Sequence, residues 1–185
     1  MKECDWKALE DEALKDGASA VRRVDVPKVK IGTWPRMKCQ FGCRNYGKTL
    51  CCPPYVPDLS ITRDFLKDYK NGLLVRYTVP IEMKDVKDWM KMETDINNGL
   101  LDVLIKVEKA ALMKNYYKAF ALKAGRCSLC EKCNLEKCVH PEIARPSLEA
   151  FGIDVFALAS DNGFDARMFS GPIKELNIYG MVLLD

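Results

Sequence analysis

The chain has 185 residues, of which 48% are hydrophobic and 30% charged, with a net charge of +3 at pH 7. At this length about 70% of the surface of the unfolded chain is buried on folding, so a single domain, 1–185, with its own core is expected and global disorder is excluded. Apolar runs such as Gly72 to Val75 and Val155 to Ala159 fall far short of the roughly 20 residues that span a bilayer, so no membrane partner is expected. The charged start, Met1-Lys2-Glu3-Cys4-Asp5, lacks the apolar stretch of a secretory signal, and a cytoplasmic location is the expectation.

In chain order, Asp5 to Lys15 reads as a short helix closed by Asp16-Gly17, and the valine-rich Ala18 to Val29 as a strand. Trp34 to Pro57 carries Pro35, Pro53, Pro54 and Pro57, with glycine and asparagine around Tyr46, and is expected to be an irregular, ligand-bearing loop. Ser60 is expected to cap a helix that runs to Tyr69 and is closed by Asn71-Gly72, before a buried strand from Leu73 to Ile81. Between Asp85 and Lys114, Val86, Met90, Ile96, Leu100, Leu104, Val107 and Ala111 mostly recur at steps of three or four, the period of one helical face. Gly99, following Asn97-Asn98, is where this long helix is expected to break.

Tyr116 to Ala124 reads as a strand that passes through Gly125 into a second cysteine-rich loop. Pro146 to Ala150 and Asp154 to Ser160 read as short helices, and Asn177 to Leu184 as a final apolar strand. Strands separated by helical crossovers, without internal repeats, define the expected fold class as α/β. The expected architecture is a single compact domain with a small central sheet, helical crossovers and two cysteine-bearing metal loops, 34–57 and 125–141.

Nine cysteines set the chemistry: Cys4, Cys39, Cys43, Cys51, Cys52, Cys127, Cys130, Cys133 and Cys138. In a reducing compartment clustered thiols are metal ligands or catalytic groups rather than a disulfide framework, and an odd count cannot pair completely. Cys127, Cys130 and Cys133 follow one another at steps of three, with Cys138 five residues on and Pro141 close behind. That spacing lets one loop wrap a polynuclear cluster, as in bacterial ferredoxins, and points to a 4Fe-4S cluster. Structural zinc, the alternative, favours two separate knuckles approaching a tetrahedral ion from two directions.

The first loop presents Cys39, Cys43, Cys51 and Cys52, the last preceding Pro53-Pro54. A residue before proline is held extended, and successive side chains of extended chain point to opposite sides, so Cys51 and Cys52 are not expected to share a metal. Cys39, Cys43 and Cys52 are the expected ligands of a second 4Fe-4S cluster, with Cys51 or Cys4 as the candidate fourth; the alternative is an iron open to substrate. Trp34, Phe41, Tyr46 and Tyr55 either shield this site from solvent or serve as ordinary core.

Eight basic residues between Ala20 and Leu50 (Arg22, Arg23, Lys28, Lys30, Arg36, Lys38, Arg44, Lys48) face one acid, Asp25, whereas from Pro141 onward Arg145, Arg167 and Lys174 face seven acids. This asymmetry reads as a solvated basic face, as charge balance for thiolate-bound clusters, or as a dock for an acidic partner. Gly42 to Thr49 spells the letters of a phosphate-binding loop, but Leu-Cys-Cys-Pro-Pro follows where a helix must start, so no nucleotide is expected. His140 is the one histidine and reads as a loop residue, with metal ligation or proton donation as the alternative. The stretch from Arg145 through Pro146 and Ser147 to Glu149 reads as the start of a helix beneath the second loop.

Cys39-x3-Cys43-x2-Tyr-Gly-Lys-x3-Cys52-Pro-Pro, combined with Gly125-x-Cys-x2-Cys-x2-Cys-x4-Cys-x2-Pro-x3-Arg-Pro-Ser-x-Glu-Ala-x-Gly-Ile-Asp-Val155, resembles the predicted metal-binding family called domain of unknown function 2284. The resemblance spans most of the chain. It implies metal binding, as iron–sulfur clusters in anaerobes, and matches Cys52 rather than Cys51 to the cysteine before Pro-Pro.

Three functions follow as expectations. The first is an iron–sulfur protein in electron transfer, or a redox accessory protein, with a redox protein or enzyme as partner. The second is an iron–sulfur enzyme whose first cluster has an open iron acting on a small substrate. The third is a structural zinc module binding a macromolecule; against nucleic acid, the aromatics lie inside the cysteine loop rather than among the arginines.

Overall fold

The computed structural model describes residues 1–81, 86–166 and 175–185. Asp85, Arg167 and Lys174, and the side chains of Val86 and Met90, named above, lie outside the described residues.

Four strands form one sheet: β1 (Ala20–Asp25), β2 (Asn71–Pro80), β3 (Phe120–Leu122) and β4 (Glu175–Leu184), in the order β1-β2-β4-β3. Every pairing is antiparallel, with Leu73 opposite Val182 and Leu122 opposite Met181. Both faces are covered, which explains why β4 reads as an unbroken apolar run rather than an alternating one. On one face Leu73, Val75, Val182 and Leu184 pack against Trp6, Leu9 and Ala13 of α1 (Glu3–Lys15) and against Leu100, Leu104, Val107 and Ala111 of α4 (Val86–Met113). On the other, Leu74, Leu122, Met181 and Leu183 meet Leu66 of α3 (Leu59–Lys67), Leu158 of α5 (Val155–Asp161) and the turn through Leu148, Phe151 and Ile153. The α/β class and the single domain stand.

Several boundaries differ from the sequence reading. The segment from Trp34 is not irregular throughout: Pro35 occupies the first turn of a helix, α2 (Trp34–Gly42), where its missing N–H costs nothing. Helix α3 begins at Leu59 behind Asp58 rather than being capped by Ser60, and Asn71-Gly72 open β2 instead of closing that helix. Helix α4 runs unbroken through Gly99; a Cβ there would lie 2.6 Å from Tyr77 Oη, so the glycine makes room for a strand side chain. The third strand is three residues long rather than spanning Tyr116 to Ala124. Pro146 to Ala150 forms no helix: Ser147 bridges to Lys123 and a turn follows. The expected final helix forms at Val155, its first turn capped by the Asp154 carboxylate, which accepts the Ala157 N–H at 2.9 Å.

Candidate metal centre

Cys39 lies on α2, one turn beyond Arg36, whose guanidinium donates to the carbonyls of Pro57 and Ala150, both at 3.0 Å. That clamp ties the helix to the turn at 147–152. Cys43 follows the last residue of α2, and its sulfur accepts the Asn45 N–H at 3.4 Å. Cys52 is held in a turn by its own N–H on the Thr49 carbonyl and by the Tyr55 N–H on its carbonyl, both at 3.0 Å. These three cysteines and Glu149 line a cavity of about 650 Å³ whose walls include Trp34, Ile153, Phe156 and Ile178. Burial pushes the Cys39 thiol up to about 11, aided by the nearby Glu149 carboxylate and opposed by Arg36. Burial also raises Cys52, against the Thr49 hydroxyl and the Cys127 backbone N–H.

The second group is Cys127, Cys130, Cys133 and Cys138, on the segment between β3 and α5, joined by Cys51 from the first loop. All five line a second cavity of about 320 Å³. The neighbouring Cys51 thiol draws the Cys127 thiol below the ordinary cysteine range, with help from the Leu129 N–H and the cations Lys123 and Arg126. The same pairing, followed by burial, pushes Cys51 strongly upward. Cys130 is raised by burial and by the neighbouring Cys127, Cys133 and Cys138. The structure therefore places adjacent Cys51 and Cys52 on different cavities, and Cys51 lies with the second group rather than completing the first.

Lys123 stands between the two groups. It is fully buried, and its ammonium donates to the carbonyls of Ala124 at 2.7 Å, Gly125 at 3.4 Å and Arg126 at 2.6 Å. Burial lowers its pKa, while Cys127, Glu149, Cys52 and Cys51 act to raise it. The only signal in the sequence was a lysine inside the apolar run Phe120 to Ala124, where a buried charge needs partners. Gly125 turns the chain with φ +60°, and a Cβ there would lie 3.0 Å from the Asn97 amide nitrogen. Arg126 then donates to Thr94 Oγ1 at 3.1 Å and Ser128 to Asn98 Oδ1 at 2.6 Å, so α4 anchors the start of the second loop. Arg145 anchors its exit by pairing with buried Glu108, which also accepts the Ala121 N–H at 2.6 Å.

Other candidates fall elsewhere. Cys4 is exposed on α1 near Tyr116, beyond the C-terminal end of α4, whereas the second loop is anchored around Thr94 and Asn98. His140 lines the second cavity, and its carbonyl accepts the Ile143 and Ala144 N–H groups. Trp34, Phe41 and Tyr55 are exposed rather than core, and of these Trp34 reaches the first cavity. No helix follows Thr49 in the phosphate-loop lettering.

Among the described residues, no group of three or more Cys, His, Asp and Glu side chains is gathered closely enough to hold a single metal ion. A structural zinc needs its sulfurs at about 2.3 Å from one point. The thiols line two separate cavities, and soft sulfur donors of this kind are taken by zinc and by iron–sulfur clusters alike.

No helix among the described residues is long and apolar enough to cross a membrane. Neither the curated proteins nor the solved structures contain a match to this chain. A family model does match, over residues 22–184, and takes in both cysteine groups, Lys123 and Glu149. The chain belongs to DUF2284, a family of predicted metal-binding proteins.

Proposed function

We propose that this chain is a two-cluster iron–sulfur protein that transfers electrons, with one 4Fe-4S cluster held by Cys127, Cys130, Cys133 and Cys138 and the other by Cys39, Cys43 and Cys52. The observation that carries this reading is the division of eight cysteines between two cavities, with Cys51 and Cys52 adjacent in the chain yet on opposite groups. One peptide unit, with α-carbons about 3.8 Å apart, then links the two sites, a short path for an electron. Exposed Leu135 and Val139, beside Cys133 and Cys138, offer a redox partner an apolar contact close to the second group. Lys123 and Arg126 supply positive charge against the thiolates. The clusters would supply one-electron chemistry; the protein's part is to hold them, limit water and set their potentials.

The test is anaerobic purification followed by iron, sulfide and zinc analysis. About eight irons and eight acid-labile sulfides per chain are expected. Stoichiometric zinc without sulfide would instead establish the structural zinc module.

A second reading, an enzyme acting on a small substrate at the first site, is favoured by one observation. Three cysteines there face a cavity about twice the volume of the second, with largely apolar walls. Cyanide or small thiols shifting the resonance of the first cluster alone would favour it over pure electron transfer.

A further inference from the structure

The first cavity brings together three thiols, where a four-iron cluster asks for four protein ligands. Among the described residues no fourth cysteine lines this cavity: Cys51 lies on the second cavity, and Cys4 is exposed on α1. We propose that the Glu149 carboxylate is the fourth ligand of the cluster held by Cys39, Cys43 and Cys52. This rests on the two-cluster reading and names the residue that completes it.

Three observations converge on Glu149. Glu149 lines the same cavity as the three cysteines. Its Oε2 is buried and has no hydrogen-bond partner among the described residues, an arrangement that costs free energy unless something else occupies that oxygen. The nearby cation does not supply the missing bond. An ammonium has three hydrogens, and those of Lys123 meet three backbone carbonyls.

The backbone under Glu149 is also firmly set. The Ala150 N–H donates to Ser147 Oγ at 3.1 Å, the Gly152 N–H to the Glu149 carbonyl at 2.9 Å, and Arg36 of α2 to the Ala150 carbonyl at 3.0 Å. The residue that carries the carboxylate is thereby tied to the helix that carries Cys39, as a ligand set requires.

A carboxylate is a harder and weaker donor to cluster iron than a thiolate. The iron held by Glu149 is therefore the exchangeable one, and it is the position at which a molecule in the apolar cavity would displace a protein ligand. Electron transfer and a response to small ligands then become compatible properties of one site.

The experiment uses the full chain, reconstituted anaerobically with ferrous iron and sulfide, as wild type, Glu149→Gln, Glu149→Cys and Asp165→Asn. Glu149→Gln keeps the buried shape of the turn, and the Cys127 cluster in the same molecule reports whether the variant has folded. On mild oxidation with ferricyanide, Glu149→Gln is expected to release about one of its eight irons and show the EPR signal of a three-iron cluster, while the wild type keeps its full complement. Glu149→Cys is expected to retain all its iron, lower the potential of the first cluster and lose its response to cyanide. Asp165→Asn, at the exposed carboxylate that also lines the cavity, is expected to match the wild type. Full iron retention and an unaltered EPR spectrum in Glu149→Gln would overturn the assignment while leaving two clusters in place. Only about four irons in the wild type would overturn the two-cluster reading and the Glu149 ligand with it.

Discussion

Lys123 is the residue on which both groups lean, because one positive charge has been taken out of water between two sets of thiols. Lys123→Met removes that charge and leaves the carbonyls of Ala124, Gly125 and Arg126 without their donor. Adding an electron to either cluster becomes less favourable, so both potentials are expected to fall in an EPR-monitored redox titration. Stability is expected to drop by about 1–3 kcal/mol in urea denaturation, the cost of buried acceptors left unsatisfied. Unchanged potentials would mean that Lys123 only ties the loop. Cys127 gives a second handle on this scale, in the metal-free protein. Its thiol is held below the ordinary cysteine range, chiefly by the neighbouring Cys51 thiol. A depressed acid contributes stability that is present above its unfolded-state pKa and is lost as pH falls through the lower folded-state value. Cys51, shifted the opposite way, cancels the gain at higher pH. Cys127 is thus expected to be the first thiol alkylated by iodoacetamide at pH 7, and Cys51→Ala to move its reactivity to higher pH; faster labelling of Cys130 would contradict the pairing.

Among the elements, α4 decides where the second loop can go, since Thr94, Asn98 and Glu108 hold Arg126, Ser128 and Arg145. Its own position depends on how closely it approaches the sheet. Gly99 meets Tyr77, and on the strand side a Cβ at Gly180 would lie 2.5 Å from Leu104 Cδ1. Alanine normally stabilises a helix interior by about 1 kcal/mol over glycine. Gly99→Ala is nevertheless expected to destabilise the protein by about 1–3 kcal/mol, because a methyl has no room against the Tyr77 ring. A thermal melt that moves upward would show instead that the helix can shift at no cost.

Over the whole molecule, the fold divides into a self-sufficient core and a segment that depends on its ligands. The sheet and α1 and α4 bury a continuous apolar layer. By contrast, among the described residues no backbone N–H from 124 to 142 donates to a backbone carbonyl. Metal-free protein is therefore expected to keep slow amide exchange in β2 and β4 while 126–141 exchanges within seconds, and metal binding to protect that segment selectively. Loss of protection everywhere would show that the metal holds the whole fold rather than the loop. The charge asymmetry of the sequence also resolves at this scale. Arg23 pairs with Glu3 and Glu10, Lys30 with Asp161 and Arg44 with Glu93, acids from outside the run, and Lys28 pairs with Asp25 within it, so four of the eight basic residues are paired. These pairs are mostly exposed and contribute little to stability, but they leave less of a basic face than the linear count suggests.

The sequence by itself determined the long helix, the buried inner strand β4 and the nature of the donors. Apolar residues at helical steps, an unbroken apolar run and thiols at steps of three are local patterns, and local geometry alone requires them. It also carried the family resemblance in the two cysteine motifs. Tertiary structure alone decided which thiols meet. Cys51 and Cys127 are 76 residues apart in number and neighbours in space, because the end of β3 returns the chain to the first loop. The same holds for Lys123 and Glu149, which fall in an expected strand and in an expected short helix. Their meaning depends on the antiparallel pairing of β3 with β4 and on a turn where a helix was expected. Contacts across such separations are set by how the layers pack, and no spacing within a single segment records them.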